Sequence, residues 1–345
     1  MKYLEMGHSY PYFNRNYFIE KESIDKFSTE YNNEGIYRSA YYYNVNNKEE
    51  IKDSYLFSDF YMDFDNEENP ELAKEDLLYV IWRMHYKLSY NLPIEAFRIY
   101  FSGKKGFHLI IPYQYLGIEP RKDLDNVFRW IAAGLQEEVP NETIDMVVYE
   151  RRRLWRLENS KHIDTKLFKI PIEYKELVNL SLEEIKELAK KQRKLIYPEP
   201  VFSTSANKIY LEEIKEFEES INREKERYKN YVPKEKVFDL DNLPDYITQL
   251  LEEGPVVGFR NETAAALTSF YLQVGYSEDE TLEAIMNWNN NSLSKNEIKA
   301  TVHSVFKNKF IYSKKRFQAL ANKDLSTVKA PIRQKQKPIW KKGGR

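Results

Sequence analysis

Three patterns in this 345-residue chain predict an α/β core followed by a small all-α domain. The first is the alternation in residues 55–65 (YLFSDFYMDFD). Phe60, Met62 and Phe64 take one face, and Asp59, Tyr61, Asp63 and Asp65 share the other, as in a half-buried strand. A one-residue slip would bury the acids, so the register is well specified. The second is a pair of apolar runs, 97–101 and 107–111, joined by Ser-Gly-Lys-Lys-Gly. That is a hairpin signal, with glycines for the positive φ such a turn needs. The third is a set of four stretches with helical periodicity between 237 and 310.

Taken in order, residues 1–34 carry weak signals, and 36–45 (IYRSAYYYNV) have the aromatic and β-branched content of a strand. After the acidic strand, Pro70 opens a helix whose Leu77, Leu78, Ile81, Met84 and Leu88 recur at helical spacing and which ends before Pro93. The hairpin follows, then a helix over 121–138 with Leu124, Val127, Phe128, Ile131 and Leu135 on one face, then a strand over 143–149 carrying Asp145. Next comes RRRLWRLENSKHIDTKLFKIPI, whose end reads as another strand. Ser181 and Glu184 form a capping box for a helix to about 196; Pro198 and Pro200 break it, and a second charged helix spans about 209–229. Their apolar stripes are narrow, so 181–236 reads as a charged linker or arm, with the boundary at Tyr231-Val232-Pro233. Helices are expected over 243–253, 262–274, 277–287 and 294–308, with capping boxes Ser277/Glu280 and Ser294/Glu297 and a C-cap at Gly275. The expected domains are therefore 1–180, the arm 181–236, the helical domain 237–310, and a tail, 311–345. From 314 on, that tail holds eleven Lys or Arg against Asp324 and reads as disordered.

Lys plus Arg (53) nearly balance Asp plus Glu (54), which excludes a uniformly basic coat; an anionic partner must be met by local clusters. Cysteine is absent, excluding disulfides, thiolate nucleophiles and cysteine-ligated zinc. With neither a signal-peptide core nor an apolar run of membrane-spanning length, a soluble cytoplasmic protein with no membrane partner is expected.

Asp63 and Asp65 lie two apart on one strand face. Carboxylates that close repel unless a cation sits between them, and hard divalent ions favour such oxygen ligands. A solvated acidic turn is the plainer reading of the same stretch. Asp145, between Ile144 and Met146, is the third acid; from two strands the three would make the carboxylate set of a two-metal phosphoryl-transfer site. Ser102-Gly103-Lys104-Lys105-Gly106-Phe107-His108 offers a hydroxyl, two ammonium groups, glycines that admit phosphate to backbone N–H groups, and an imidazole. It is not a GxxxxGK[ST] loop. Residues 151–169 hold Arg151, Arg152, Arg153, Arg156, Lys161, Lys166 and Lys169 against Glu158 and Asp164, with Trp155 and Phe168 interleaved as either base-stacking or core aromatics. His85 and His303 read as structural, and His8 is uninformative.

In this order, an hDhD strand, an SGxxGxH hairpin, then an hD strand followed by an Arg-rich strand, the motifs resemble the archaeo-eukaryotic primase (AEP) catalytic domain of primases and primase-polymerases, which implies an α/β core of the α+β kind with a mostly antiparallel mixed sheet. The resemblance implies Asp63, Asp65 and Asp145 as catalytic ligands of two Mg²⁺ or Mn²⁺ ions; a zinc module of the kind some relatives carry is not expected, because cysteine is absent. It implies Ser102, Lys104, Lys105 and His108 as contacts to nucleotide phosphates. Arg156, Ser160, His162 and Lys169 would lie near the incoming nucleotide or template. Arg151, Arg152 and Arg153, with Arg260 of the helical domain, are candidate template contacts. Residues 258–306 resemble the primase C-terminal (PriCT) helical domain of mobile-element primases through Gly258, Arg260, Asn261, Gly275, Trp288 and Asn289.

The expected activity is therefore primer synthesis from NTPs or dNTPs on single-stranded DNA for a plasmid, phage or other mobile element. No helicase segment follows, so a separate replicative helicase is the expected partner. A gap-filling polymerase without de novo priming, and a non-synthetic replication-initiator protein, are the alternatives.

Overall fold

The structure, a computed structural model, describes residues 1–9, 11–87, 90–229, 243–256 and 258–323. Leu88, the Tyr231-Val232-Pro233 boundary and the basic tail from 324 on lie outside the described residues. The chain divides into two compact units, Met1–Phe217 and Glu218–Arg345.

The first unit is α+β, with two antiparallel sheets. Its opening residues, weak in sequence signal, form β1 (Tyr3–His8), β2 (Asn14–Glu20) and α1 (Ile24–Glu30). The strand expected over 36–45 is interrupted, giving β3 (Ile36–Ser39) and β4 (Tyr42–Tyr43); between them Ser39 Oγ donates to the Tyr41 carbonyl at 2.6 Å and bends the chain. With β5 (Leu56–Phe57) and β9 (Leu154–Arg156) these make a sheet ordered β5-β4-β1-β3-β9, and β2 pairs with β1. The second sheet is ordered β10-β7-β8-β6, from β10 (Ile170–Ile172), β7 (Arg98–Phe101), β8 (Gly106–Ile111) and β6 (Phe60–Asp65). Its hairpin turns where predicted, with Gly103 at φ 88°.

Helix α4 (Leu124–Gln136) buries its expected apolar face, whereas α2 (Pro70–Trp82) buries Leu77 and Ile81, leaves Leu78 half-buried and ends before Met84, which is buried in a π-helical turn over Arg83–Lys87; α3 (Tyr113–Leu116) is a short turn between β8 and α4. β6 is not half-buried as its alternation suggests. Tyr61 is 2% exposed, because its ring packs against Tyr41, Phe128, Tyr149 and Trp155.

The strand expected over 143–149 is also corrected. Only Ile144 bridges to Phe64, and residues Met146–Tyr149 form a 3-10 turn in which Asp145 accepts from Val147 N at 2.8 Å. That side-chain bond captures a backbone donor a strand would need, so the ladder ends there.

The charged arm is shorter than expected. After α5 (Tyr174–Asn179), α6 (Leu182–Leu188) begins on the Ser181/Glu184 capping box but stops at Ala189, whose carbonyl accepts from Phe168 N. α7 (Thr204–Lys229) buries Ala206, Tyr210, Ile214 and Phe217, and Trp130 Nε1 donates to Glu213 at 3.1 Å. A stripe one residue wide per turn therefore docks 181–217 on the first unit.

The second unit has α8 (Asp245–Glu252), α9 (Arg260–Gln273), α10 (Glu278–Trp288) and α11 (Lys295–Asn308) where predicted. Both capping boxes are formed, and Gly275 takes φ 86° just past α9. A fifth helix, α12 (Lys314–Ala321), was expected as disordered tail. It buries Phe317 and Leu320 against the core of Ile247, Leu250, Leu267 and Val302, so two apolar anchors outweigh its basic composition.

Candidate active site

β6 and β8 run in register, with Asp63 opposite His108 and Asp65 opposite Gly106. The absence of a side chain at Gly106 is required: a Cβ there would stand 2.0 Å from Phe64 O and 2.3 Å from Asp65 Oδ1. The third acid is held beside the first two by backbone bonds, from Asp145 N to Asp63 O at 2.8 Å and from Asp65 N to Thr143 O at 2.9 Å.

Asp76 on α2 builds the same loop. Fully buried, it accepts from Asn141 N and Nδ2 and from Thr143 N and Oγ1 at 2.9–3.0 Å. Sequence reasoning passed over it. Its signal was there: an acid on the apolar stripe of α2, between Ala73 and Val80.

Asp63 is 7% exposed, and burial, then Asp65, then Asp145, pushes its carboxyl well above the ordinary carboxylate range. Its Oδ1 is 3.5 Å from His108 Nε2, too poorly aligned for a hydrogen bond, so that buried oxygen has no hydrogen-bond partner. Burial also raises Asp65, against the pull of Lys105 Nζ at 3.3 Å. Lys105 is itself held above its usual value, because Asp65 outweighs its own burial. Arg153 Nη2 lies 3.8 Å from Asp145.

Three hard-oxygen donors, one orphaned and mutually repelling, suit divalent cations in chemistry. They are neighbours without being a closed shell: among the described residues no three His, Asp or Glu side chains gather tightly enough to enclose a metal ion.

His108 stacks on Trp155 at 4.3 Å, and burial followed by Lys169 and Arg156 drives its imidazole well below its ordinary value, leaving it neutral. Its Nδ1 has no hydrogen-bond partner. Trp155 is thus the floor of the site and part of the core. Lys169, 3% exposed, donates to Arg156 O at 3.0 Å and lies over Trp155 and Tyr100; burial brings its ammonium down to about 7.

The hairpin is braced. Ser102 Oγ accepts from Gly106 N, Arg156 Nη1 donates to Ser102 O at 2.9 Å, and Thr165, which sequence reasoning did not single out, donates to Gly103 O at 2.6 Å. Lys104 is exposed, its Nζ 3.7 Å from Asp164.

Other expected site residues are engaged elsewhere. Ser160 is fully buried and accepts from Ile36 N at 2.8 Å, so it joins β3 to the loop after β9. His162 Nδ1 accepts from Asp164 N at 3.0 Å, and burial lowers its imidazole to about 4. Arg151 donates to the carbonyls of Ile51, Ser54 and Lys122, and Arg152 shares the buried Glu5 with Arg15. These two guanidinium groups act as structural staples, since neither carboxylate nor carbonyl partners can be released cheaply. Arg260, in the second unit, donates to Ser292 O at 3.1 Å.

Residues 249–310 match the family described as Primase C terminal 1 (PriCT-1), a span that takes in the end of α8 and all of α9 to α11. The chain is also similar to a solved crystal structure of primase RepB′, at 11% identity and a TM-score of 0.33 over 94% of each chain. No curated protein matches it. Residues 249–310 are accordingly PriCT-like, and an α+β unit of antiparallel sheets precedes them in the chain. No described helix is long and apolar enough to cross a membrane.

Proposed function

We propose that the chain is a DNA primase or primase-polymerase. Its first unit would join (d)NTPs on a single-stranded DNA template for replication of a mobile element. The observation that carries this reading is the set Asp63, Asp65 and Asp145, placed by β6 and the Thr143–Asp145 backbone bonds beside the Ser102–His108 hairpin, with one buried carboxylate oxygen unpartnered. The PriCT-like unit supports priming over other nucleotidyl transfer.

Asp63, Asp65 and Asp145 would hold two Mg²⁺ or Mn²⁺ ions, which supply activation of the attacking 3′-hydroxyl and bracing of the pyrophosphate. The remaining work falls to this chain's own side chains. Lys104 and Lys105 meet the triphosphate as point charges on a turn that Arg156 and Thr165 hold rigid. His108, neutral, keeps one N–H to donate to a phosphate oxygen without adding charge beside Lys169. Lys169, near neutrality, gains its proton when a polyanion binds next to it and so stabilises charge developing at the α-phosphate.

The test is synthesis on unprimed single-stranded DNA with labelled ribo- and deoxynucleotides and Mg²⁺ or Mn²⁺. Wild type is compared with an Asp63→Asn/Asp65→Asn variant. Products from wild type alone, together with a Mn²⁺-dependent rise in melting temperature that the variant lacks, are expected. Synthesis that survives in the variant defeats the assignment. Extension only from an annealed primer moves the protein to gap-filling, and template binding without any synthesis moves it to an initiator.

A further inference from the structure

The β1–β2 hairpin ends in two exposed aromatics, Tyr12 (70%) and Phe13 (58%), of a kind that soluble surfaces normally keep to single, scattered positions. Ser9 N donates to Gly35 O and Gly35 N to Lys161 O, each at 2.9 Å, so the residue after β1 is linked through Gly35 to the loop after β9. Gly35, at φ 62°, permits that approach, since a Cβ there would stand 2.8 Å from Ile163. Phe13 meets Tyr37 edge-on at 6.3 Å, and the Arg156 guanidinium lies 5.6 Å from the Tyr37 ring. Tyr37 pairs with Arg156 across β3 and β9, and Arg156 in turn holds Ser102 O of the phosphate hairpin. A continuous path therefore runs from exposed rings at the sheet edge, through a cation, to the candidate active site.

We propose that Tyr12, Phe13 and Tyr37 form a stacking platform for unpaired bases of single-stranded DNA, with Arg156 countering the backbone charge where the strand enters the site. This rests on the polymerising role proposed above and adds the surface that would present the template. Rings offer faces to any base, so the platform is tolerant of sequence, as a template surface must be. The two tip rings and Tyr37 exceed the single base of an incoming nucleotide, and this favours a strand as occupant.

The experiment measures anisotropy of a fluorescein-labelled oligothymidine and of an abasic strand of equal length, with the full chain and a Tyr12→Ala/Phe13→Ala variant. Both side chains are exposed, so an unchanged melting temperature is the control for folding. About tenfold weaker binding per lost ring is expected on oligothymidine, with the abasic strand unaffected and Phe13→Trp retaining affinity. Equal affinity of variant and wild type for oligothymidine overturns the proposal, as does an equal loss on the abasic strand. A defect confined to the KM for free nucleotide also overturns it, assigning the rings to the nucleotide instead. Loss of oligothymidine affinity in a protein that makes no product would uphold the platform while the synthetic role failed.

Discussion

Replacing Lys169 by methionine should make the protein more stable at neutral pH and less able to work. Burial brings the ammonium from its ordinary 10.5 to about 7. At 1.36 kcal/mol per pH unit, that distance corresponds to about 5 kcal/mol set against the charged form. That figure is already net of the ammonium's bond to Arg156 O and its two aromatic faces; against it stands the Arg156 carbonyl, which methionine leaves without this donor at a cost of ~1–3 kcal/mol. Lys169 also holds Asp63 down, and its removal lifts that carboxyl further. Methionine keeps the volume and drops the charge, so a net gain of ~1–2 kcal/mol is expected at pH 6.5.

The sign of the pH dependence follows from the lowered value. Between about 7 and 10.5 the unfolded chain binds a proton that the folded chain does not, so wild-type stability climbs with pH through this window. Below about 7 both states are protonated and the full cost stands. Urea unfolding at several pH values from 6 to 9.5 should show wild type gaining up to ~3 kcal/mol over Lys169→Met between pH 7 and 9.5. A variant less stable than wild type at pH 6.5, or two parallel pH profiles, would refute the reasoning.

Two further substitutions probe the scaffold of the site. Gly106→Ala forces a methyl group to 2.0 Å from Phe64 O, so the β6–β8 register should break at a cost of at least ~3 kcal/mol, seen as a lower urea midpoint and lost Mn²⁺ stabilisation. Asp76→Ala leaves Asn141 N and Thr143 N without acceptors in a buried loop. It should cost ~2–4 kcal/mol and lower synthesis while Asp63, Asp65 and Asp145 all remain; an unchanged rate would show that the loop holds Asp145 without it.

Local rules were enough for much of the molecule. Period-2 alternation put Asp63 and Asp65 on one strand, the glycine pair put a turn between β7 and β8, and three Ser/Glu capping boxes marked the starts of α6, α10 and α11. Each of these is written within a few residues, and so is the motif order that resembled an AEP core. The stripe Ala206–Phe217 and the anchors Phe317 and Leu320 were equally visible, but whether so few apolar groups dock depends on the surface that receives them, which lies far away in sequence.

Tertiary structure alone decided the roles of the cations. Arg151, Arg152, Arg153 and Arg156 are chemically alike in sequence. Contacts with Ile51, Glu5, Asp145 and Ser102, from residues 8 to 147 positions away, divide them between staple and site. Burial, too, belongs to the assembled fold. Nothing near Lys169 in the chain indicates an ammonium brought down to about 7, and nothing near Asp63 indicates an orphaned carboxylate oxygen. Desolvation is set by every neighbour at once, whereas propensity and periodicity are set by the nearest few.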